Sequence, residues 1–292
     1  MLLLNEKIQE SLQFVIPKLT LHPKIAVVLG SGLGYFSESI LQATILPTSE
    51  IPHYPRSTVP GHSGRWVIGR ITKVPIIAVQ GRVHLYEGYS IQDVVYPIHL
   101  LASLGINVII LTTACGGLNP GFKPGDLMLI TDQINLAFRN PLIGKPKNQV
   151  GPRFPDMSQA FDPTLLEIAR KTGAELGLPF REGVFCWVTG PNYETAAEVQ
   201  MLRKLGGDAV SMSTAPEVIA ARQRYMRVLG ISLITNLGTG LSETKLTHRE
   251  VTETARRSGE RLGTLLREII GRIYQALELD VSRWTDSSSD VK

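Results

Sequence analysis

The stretch 183–217, GVFCWVTGPNYETAAEVQMLRKLGGDAVSMSTAPE, restricts the fold more than any other part of the chain. It opens with an apolar run of strand length, 184–188. A Gly190-Pro191 turn follows, and then a ring and a carboxylate stand side by side at Tyr193 and Glu194. Thr195 and Glu198 have the spacing of a capping box, which predicts a helix starting there. That helix must stop at Gly206-Gly207, and 208–212 is a second strand. Ser213 and Thr214 fall where this strand ends and another helix begins. The order is strand, turn, helix, strand, with polar groups gathered at strand ends. In an open α/β sheet, ligands bind in the crevice at those ends. A tyrosine beside a carboxylate suits a flat polar heterocycle, and a hydroxyl pair at a helix start suits an anion.

The rest of the chain repeats this alternation. Ile8, Leu12, Val15 and Ile16 form one apolar stripe, so the chain opens with an amphipathic helix. The run 24–29 is a buried strand feeding the loop Gly30-Ser31-Gly32-Leu33-Gly34. Residues 51–62 form a proline-rich loop. Strands are predicted at 65–71 and 74–79, and after them comes GRVHLYEGY, 81–89. A helix over 90–104 must kink at Pro97. Strands follow at 107–113 and 125–131. The segment 132–162 lacks periodicity, which marks function, insertion or a subunit contact. Asp162-Pro163 caps a helix to about Gly177. A helix over 215–229, a strand over 230–236 and a long helix from a Thr247/Glu250 capping box to about Leu277 complete the pattern. The polar tail 280–292 reads as frayed. Strands alternating with helices throughout predict one α/β domain around a mixed sheet.

Composition narrows the function. Hydrophobic residues make up 43% of the chain and charged residues 19%, the balance of a well-cored globule. The net charge of +4 is carried by scattered residues without the basic stripe of a nucleic-acid binder. Two cysteines, Cys115 and Cys186, give neither a disulfide framework nor a CxxC metal pair. The first residues lack a signal-peptide core, and no apolar run approaches the roughly 20 residues of a membrane span. The expectation is a cytoplasmic protein with no nucleic-acid or membrane partner.

Several motifs carry chemistry. The loop 30–34 invites a dinucleotide reading, but Tyr35 stands where the third glycine of the fingerprint belongs and no acidic residue ends a strand about 20 positions on. A phosphate loop using backbone N–H groups and Ser31 fits better; a plain tight turn is the alternative. Arg82 and His84, two apart in an extended segment, point to one side and form a phosphate clamp; a surface charge pair is the alternative. His62 joins them or caps a turn. Asn236 ends its strand before Gly238-Thr239-Gly240, either to hold a heterocycle or to make a turn. No histidine pair has metal-ligand spacing, so no metal is expected.

Taken together, the segments resemble the trimeric purine nucleoside phosphorylases, the group that includes methylthioadenosine phosphorylase. The matching stretches include GSGLG at 30–34, VPGHSGR at 59–65, GRVHLYEGY at 81–89, TACGGLNPGFKPGDLMLITD at 113–132 and RFPDMSQAFD at 153–162. They continue with GPNYETAAE at 190–198, MSTAPEV at 212–218, SLITN at 232–236 and LTHREV at 246–251. The resemblance implies a single nucleoside phosphorylase domain over 1–279, a twisted mixed β-sheet flanked by helices, and a homotrimer. It implies reversible phosphorolysis of purine (deoxy)ribonucleosides to free base and α-(deoxy)ribose-1-phosphate, with inorganic phosphate as co-substrate and no cofactor. Phosphate would be held at Ser31, His62, Arg82, His84, Ser213 and the backbone of Ala114. Glu194 and Asn236 would bind the base, with Tyr193 against the ring. Tyr86, Met212 and His248 would contact the ribose, and Phe154 would reach a neighbouring subunit's site. Asn236, Glu194 and His84 are the expected catalytic residues.

Glu194 would accept a hydrogen bond from N1–H, which inosine and guanosine carry and adenine lacks; this favours 6-oxopurines. Methylthioadenosine phosphorolysis is the nearest alternative. A nucleotide-binding oxidoreductase and a non-catalytic purine-binding protein are remote ones. Ser211, Thr113, Cys115 and Leu237 depart from the commoner residues of the family, so they are where this pocket would differ.

Overall fold

The computed structural model describes residues 3–59, 63–144, 151–241 and 248–287, and the backbone alone at 248–252, 255 and 279–287. In chain order the elements are α1 (Leu4–Val15), β1 (Ile25–Leu29), β2 (Leu41–Pro47), β3 (Arg65–Ile71), β4 (Val74–Gln80), α2 (Ile91–Val94), α3 (Tyr96–Ser103), β5 (Val108–Gly117) and β6 (Leu127–Asn135). Then come α4 (Pro163–Glu175), β7 (Arg181–Trp187), α5 (Ala196–Lys204), β8 (Ala209–Ser211), α6 (Ala215–Gln223), β9 (Arg227–Leu237) and α7 (His248–Ser287).

The strands form one mixed sheet in the order β2-β3-β4-β1-β5-β8-β7-β6-β9. β2, β3 and β4 are an antiparallel meander, and β4, β1 and β5 run parallel. The sheet does not stay open. β9 pairs with β6 and also lies parallel to β5 over its whole length, so β5, β8, β7, β6 and β9 close a ring. The open-sheet crevice expected from the sequence is therefore the mouth of a partly closed barrel. β1, IAVVL, is buried at every position, and β5 and β9 are buried for most of theirs. Continuous apolar runs of this kind suit strands covered on both faces.

Helices supply those covers. Leu262, Leu265, Leu266, Ile269, Ile270 and Ile273 form one buried stripe on α7, which packs on α4 and β9. α1 buries Ile8, Leu12 and Val15 and packs on α3. Ile16, the fourth member of the predicted stripe, is 55% exposed because the chain tightens there into a 3₁₀ turn. The helix predicted over 90–104 is broken at Val95, with Pro97 in the first turn of α3. β2 was not foreseen: it is mostly exposed and carries no clean alternation. α6 ends at Gln223, not near Leu229, because Tyr225 takes a positive φ and Arg227 already begins β9. α7 runs ten residues past the Leu277 expected from periodicity. The Thr247 half of its predicted capping box lies outside the described residues.

Asp162 behaves as its sequence position predicts. Its carboxylate accepts from the Leu165 amide at 3.0 Å, and Arg227 at the head of β9 donates to both of its oxygens at 2.7 and 3.0 Å. Burial works to raise the Asp162 pKa, but the Arg227 and backbone donors prevail and hold it below the usual carboxylate range. A group depressed in this way stabilises the fold above its unfolded pKa, and the contribution fades as pH falls. Asp162→Ala should therefore cost about 1–3 kcal/mol in urea unfolding at neutral pH. The gap to the wild type should shrink as the pH falls below about 4.

Candidate functional site

β1 pairs with β5 only as far as Leu111, and β8 meets β5 only at Gly116 and Gly117. The edge of β5 between them is bordered by no strand. A cavity of about 540 Å³ opens there. Ten of the sequence-predicted residues line it: Ser31, Arg82, His84, Tyr86, Ala114, Tyr193, Glu194, Met212, Ser213 and Asn236. Positions 82 and 84 thus share one cavity with 194 and 236. His62 lies outside the described residues, as does the side chain of His248. Phe154 is elsewhere, on the rim of a second cavity.

One half of the cavity gathers a guanidinium and hydroxyl groups. Arg82 follows β4, and its Nη1 donates to the Ser213 hydroxyl at 2.9 Å. Ser213 also lies 3.2 Å from the Thr113 hydroxyl on β5. β8 runs antiparallel to β5, so the chain after it returns along β5 and carries Ser213 back to this point. Ser211 Oγ donates to the Ala114 carbonyl at 2.8 Å. Its side chain is thereby tied to β5 and does not project freely into the cavity.

His84 is held by a residue the sequence reading did not single out. Glu87 Oε1 accepts from the His84 amide at 2.7 Å and sits 2.9 Å from its Nδ1. Glu87 Oε2 accepts from the Thr58 amide at 2.6 Å and hydroxyl at 2.7 Å. The proline-rich loop is thus fastened to the histidine, and Tyr54, hydrogen-bonded to Trp66 at 3.1 Å, anchors it underneath. Burial alone would raise the Glu87 pKa; the bonds from His84 and Thr58 bring it down to about 2. Tyr86 stacks on the imidazole at 4.7 Å, and its phenol is pushed up to about 12 by burial, then by the Glu87 charge.

The other half offers a donor and an acceptor. The register of β9 against β5 slips after Cys115, so that Gly116 faces Asn236 and Thr235 is the extra residue of a bulge. Bulges re-aim side chains beside active sites. The Thr235 hydroxyl lies 2.9 Å from Asn236 Oδ1, which orients the amide with Nδ2 as its donor end. Gly116 leaves room for it: a Cβ there would stand 3.3 Å from Nδ2. Across the cavity Glu194 precedes α5, whose capping box forms as predicted, with Thr195 N donating to Glu198 at 2.7 Å and Glu198 N to Thr195 at 3.2 Å. Burial, then the neighbouring Glu198 charge, raises the Glu194 pKa. Gly190 precedes it with a φ of +66° and Met212 packed where a Cβ would be, so no side chain fits that turn.

The cavity's contents discriminate between the sequence readings. The loop after β1 leads into a 3₁₀ turn, Gly34–Ser39, and not into the α-helix that a dinucleotide loop requires. A model of the phosphorylase superfamily matches residues 24–271. Purine nucleoside phosphorylase 1 of Geobacillus stearothermophilus is 48% identical over 247 residues, spanning 85% of this chain and 90% of that protein. The chain belongs to the purine nucleoside phosphorylase family. The bovine family member is 42% identical over 264 residues, spanning 88% and 91% of the two chains. Among solved structures, the Schistosoma mansoni purine nucleoside phosphorylase in complex with adenosine superposes with a TM-score of 0.87 at 34% identity, covering 91% of this chain and 96% of that one. A Schistosoma mansoni purine nucleoside phosphorylase in complex with inosine superposes with a TM-score of 0.86 at 33% identity, covering 91% of this chain and 95% of that one. Family membership accounts for the fold, mixed sheet and flanking helices included. Among the described residues no group of three or more His, Cys, Asp or Glu side chains is placed to hold a metal, and no helix is long and apolar enough to cross a membrane.

The Glu87 bonds set a pH expectation. With its carboxyl at about 2, Glu87 keeps Thr58 and His84 fixed through mildly acid pH. The stabilisation is present above the unfolded pKa near 4.3 and disappears only as pH falls through about 2. Glu87→Ala should speed hydrogen exchange at the Thr58 and His84 amides at neutral pH, by on the order of tenfold or more.

Proposed function

We propose that the chain is a pentosyltransferase that cleaves 6-oxopurine nucleosides, inosine and guanosine and their deoxy forms, with inorganic phosphate. The observation that carries the reading is the meeting of an anion half and a heterocycle half in one cavity. A phosphate held by Ser31, Arg82, His84, Ser213 and the Ala114 backbone would sit beside the sugar and attack C1′ with inversion. Its charge would stabilise the positive charge that develops on the ribose. Asn236 Nδ2 would donate to N7 of the departing purine, which gathers the negative charge, and Glu194 would accept from N1–H. Tyr193 would pack on the base, while Tyr86, Met212 and His248 would contact the ribose. His62 would add to the anion set. Asn236, Glu194 and His84 are the proposed catalytic residues; no covalent enzyme intermediate and no cofactor is needed.

The choice of base rests on Glu194. Ionised, it accepts from a 6-oxopurine and faces adenine N1 with nothing between them, a mismatch able to discriminate by as much as about 10⁴–10⁵. Adenosine bound in the Schistosoma relative gives weight to a second reading, in which adenine nucleosides such as methylthioadenosine are used. A Glu194 pKa raised by burial favours that reading at low pH, where the protonated carboxyl would donate to N1.

The reading extends to assembly and location. Phe154 is 87% exposed and Ile143 71%, both lining a second cavity of about 510 Å³, and Phe138 is 79% exposed. Exposed apolar surface of this kind suits a subunit contact, and supports a homotrimer in which Phe154 completes a neighbour's nucleoside site. Buried free thiols at Cys115 and Cys186 suit the cytoplasm.

Three results would be expected. Inosine and phosphate together should release hypoxanthine, and no release without phosphate should occur; inert enzyme would refute the reading. Asn236→Ala should lower kcat by about 10²–10³, as for other lost transition-state donors. kcat/KM should favour inosine over methylthioadenosine at neutral pH, and its acid limb with inosine should lie above the ordinary glutamate pKa of about 4.3 and vanish in Glu194→Gln.

A further inference from the structure

We propose that Glu217 is a positioning residue that sets the geometry of the anion half of the cavity; the inference rests on the reading of that half as a phosphate site. Glu217 lies in the first turn of α6 and is 4% exposed. Both of its oxygens are engaged. Oε1 accepts from Arg82 Nε at 3.1 Å, and Oε2 accepts from the Thr214 amide at 3.0 Å. Arg82 is 5% exposed, so the ion pair is buried from both sides.

The second bond bears on an unusual piece of backbone. Thr214 has φ 75° and ψ −57°, and the Ala215 amide donates to the Ser213 carbonyl at 2.9 Å. This is a γ-turn of the positive-φ kind, which is rare and strained, and more so for a β-branched residue. Strain of this sort persists where surrounding bonds over-determine it, and it clusters at ligand clamps. Here the determining bonds are the Glu217 carboxylate on Thr214 N and the first helical bond of α6, Val218 N to Thr214 O at 2.9 Å.

The turn decides where Ser213 points. Its hydroxyl meets Arg82 Nη1, 131 positions away in the chain, and Thr113 on β5. One carboxylate therefore fixes two ligand-facing groups from different elements. It holds the Arg82 guanidinium by its Nε edge, so that the Nη end turns toward Ser213, and it holds the turn that aims Ser213 back at Arg82. It also balances the arginine's charge before any anion arrives, which a buried guanidinium requires.

Glutamine cannot replace it. With its amide oxygen toward Arg82, the NH₂ group faces the Thr214 N–H; turned over, it faces the Arg82 Nε–H. Either way two donors oppose each other and one bond is lost. Steady-state kinetics on the full chain, with inosine and inorganic phosphate varied separately, test this. Glu217→Gln should raise KM for phosphate on the order of tenfold or more, the scale of one lost charged hydrogen bond. KM for inosine should change by less than about threefold, and kcat at saturating phosphate should fall less than KM rises. Thermal unfolding with and without phosphate should show a smaller phosphate-dependent rise in Tm than the wild type. Glu217→Asp, which keeps the charge but is too short to span both partners, should also raise KM for phosphate. A phosphate KM unchanged in both variants, or equal loss on both substrates in step with the folded fraction, would overturn the proposal. Absence of phosphate-dependent cleavage by the wild type would instead refute the underlying reading. If the glutamine variant does not fold, the aspartate variant and its Tm response to phosphate decide.

Discussion

The structure turns on β5 changing partners. Its first half is paired with β1 and its last two residues with β8, while β9 covers the other edge throughout. Between the two partners a strand edge in the middle of the molecule lies against a cavity and not another strand. An unpaired strand edge is ordinarily a hazard. Here the Ser211 hydroxyl donates to the Ala114 carbonyl, and the Thr112 side chain on the same stretch accepts from the Gly30 amide at 3.0 Å. The site exists because the sheet splits at this place.

Two carboxylates that touch no expected substrate atom organise the polar half of that site. Glu87 binds the proline-rich loop to His84, and Glu217 binds the start of α6 to Arg82. Each uses both oxygens, and each joins a residue near the cavity to a segment distant in the chain. The His84 imidazole and the Arg82 guanidinium are thus held in place within the protein itself, which is the condition for electrostatic stabilisation without reorganisation. The half lined by Asn236 is arranged differently. There the backbone does the work, through the bulge at Thr235 and the glycine opposite Asn236.

Much of this was legible in the sequence, and the parts that were not have physical reasons. Capping residues act over three positions, so Thr195 and Asp162 could be read directly. Strand ends followed by polar residues pointed to Ser31, Arg82, Ser213 and Asn236, because in a wound sheet those ends converge. Glu87 and Glu217 sat inside stretches already singled out, three positions after His84 and after Thr214. Their three-residue spacing from His84 and Thr214 is that of helix-capping chemistry, and only the tertiary partners reveal the second role. The closure of the sheet and the bulge in β9 depend on pairings between strands far apart in the chain, for which a local pattern holds no signal. β2 escaped notice because its exposed face removes the alternation that marks a half-buried strand.

With the far side of the sheet sealed into a ring, β2 is the one flank among the described strands still able to recruit a foreign strand. That flank is poorly suited to the task. Its ladder to β3 skips between Leu41 and Thr44, and Gln42 adopts a left-handed conformation, φ 52°. A molecule approaching edge-on meets a crooked border instead of a straight template. The irregularity that made β2 hard to recognise also makes it a poor template for fibrous self-association.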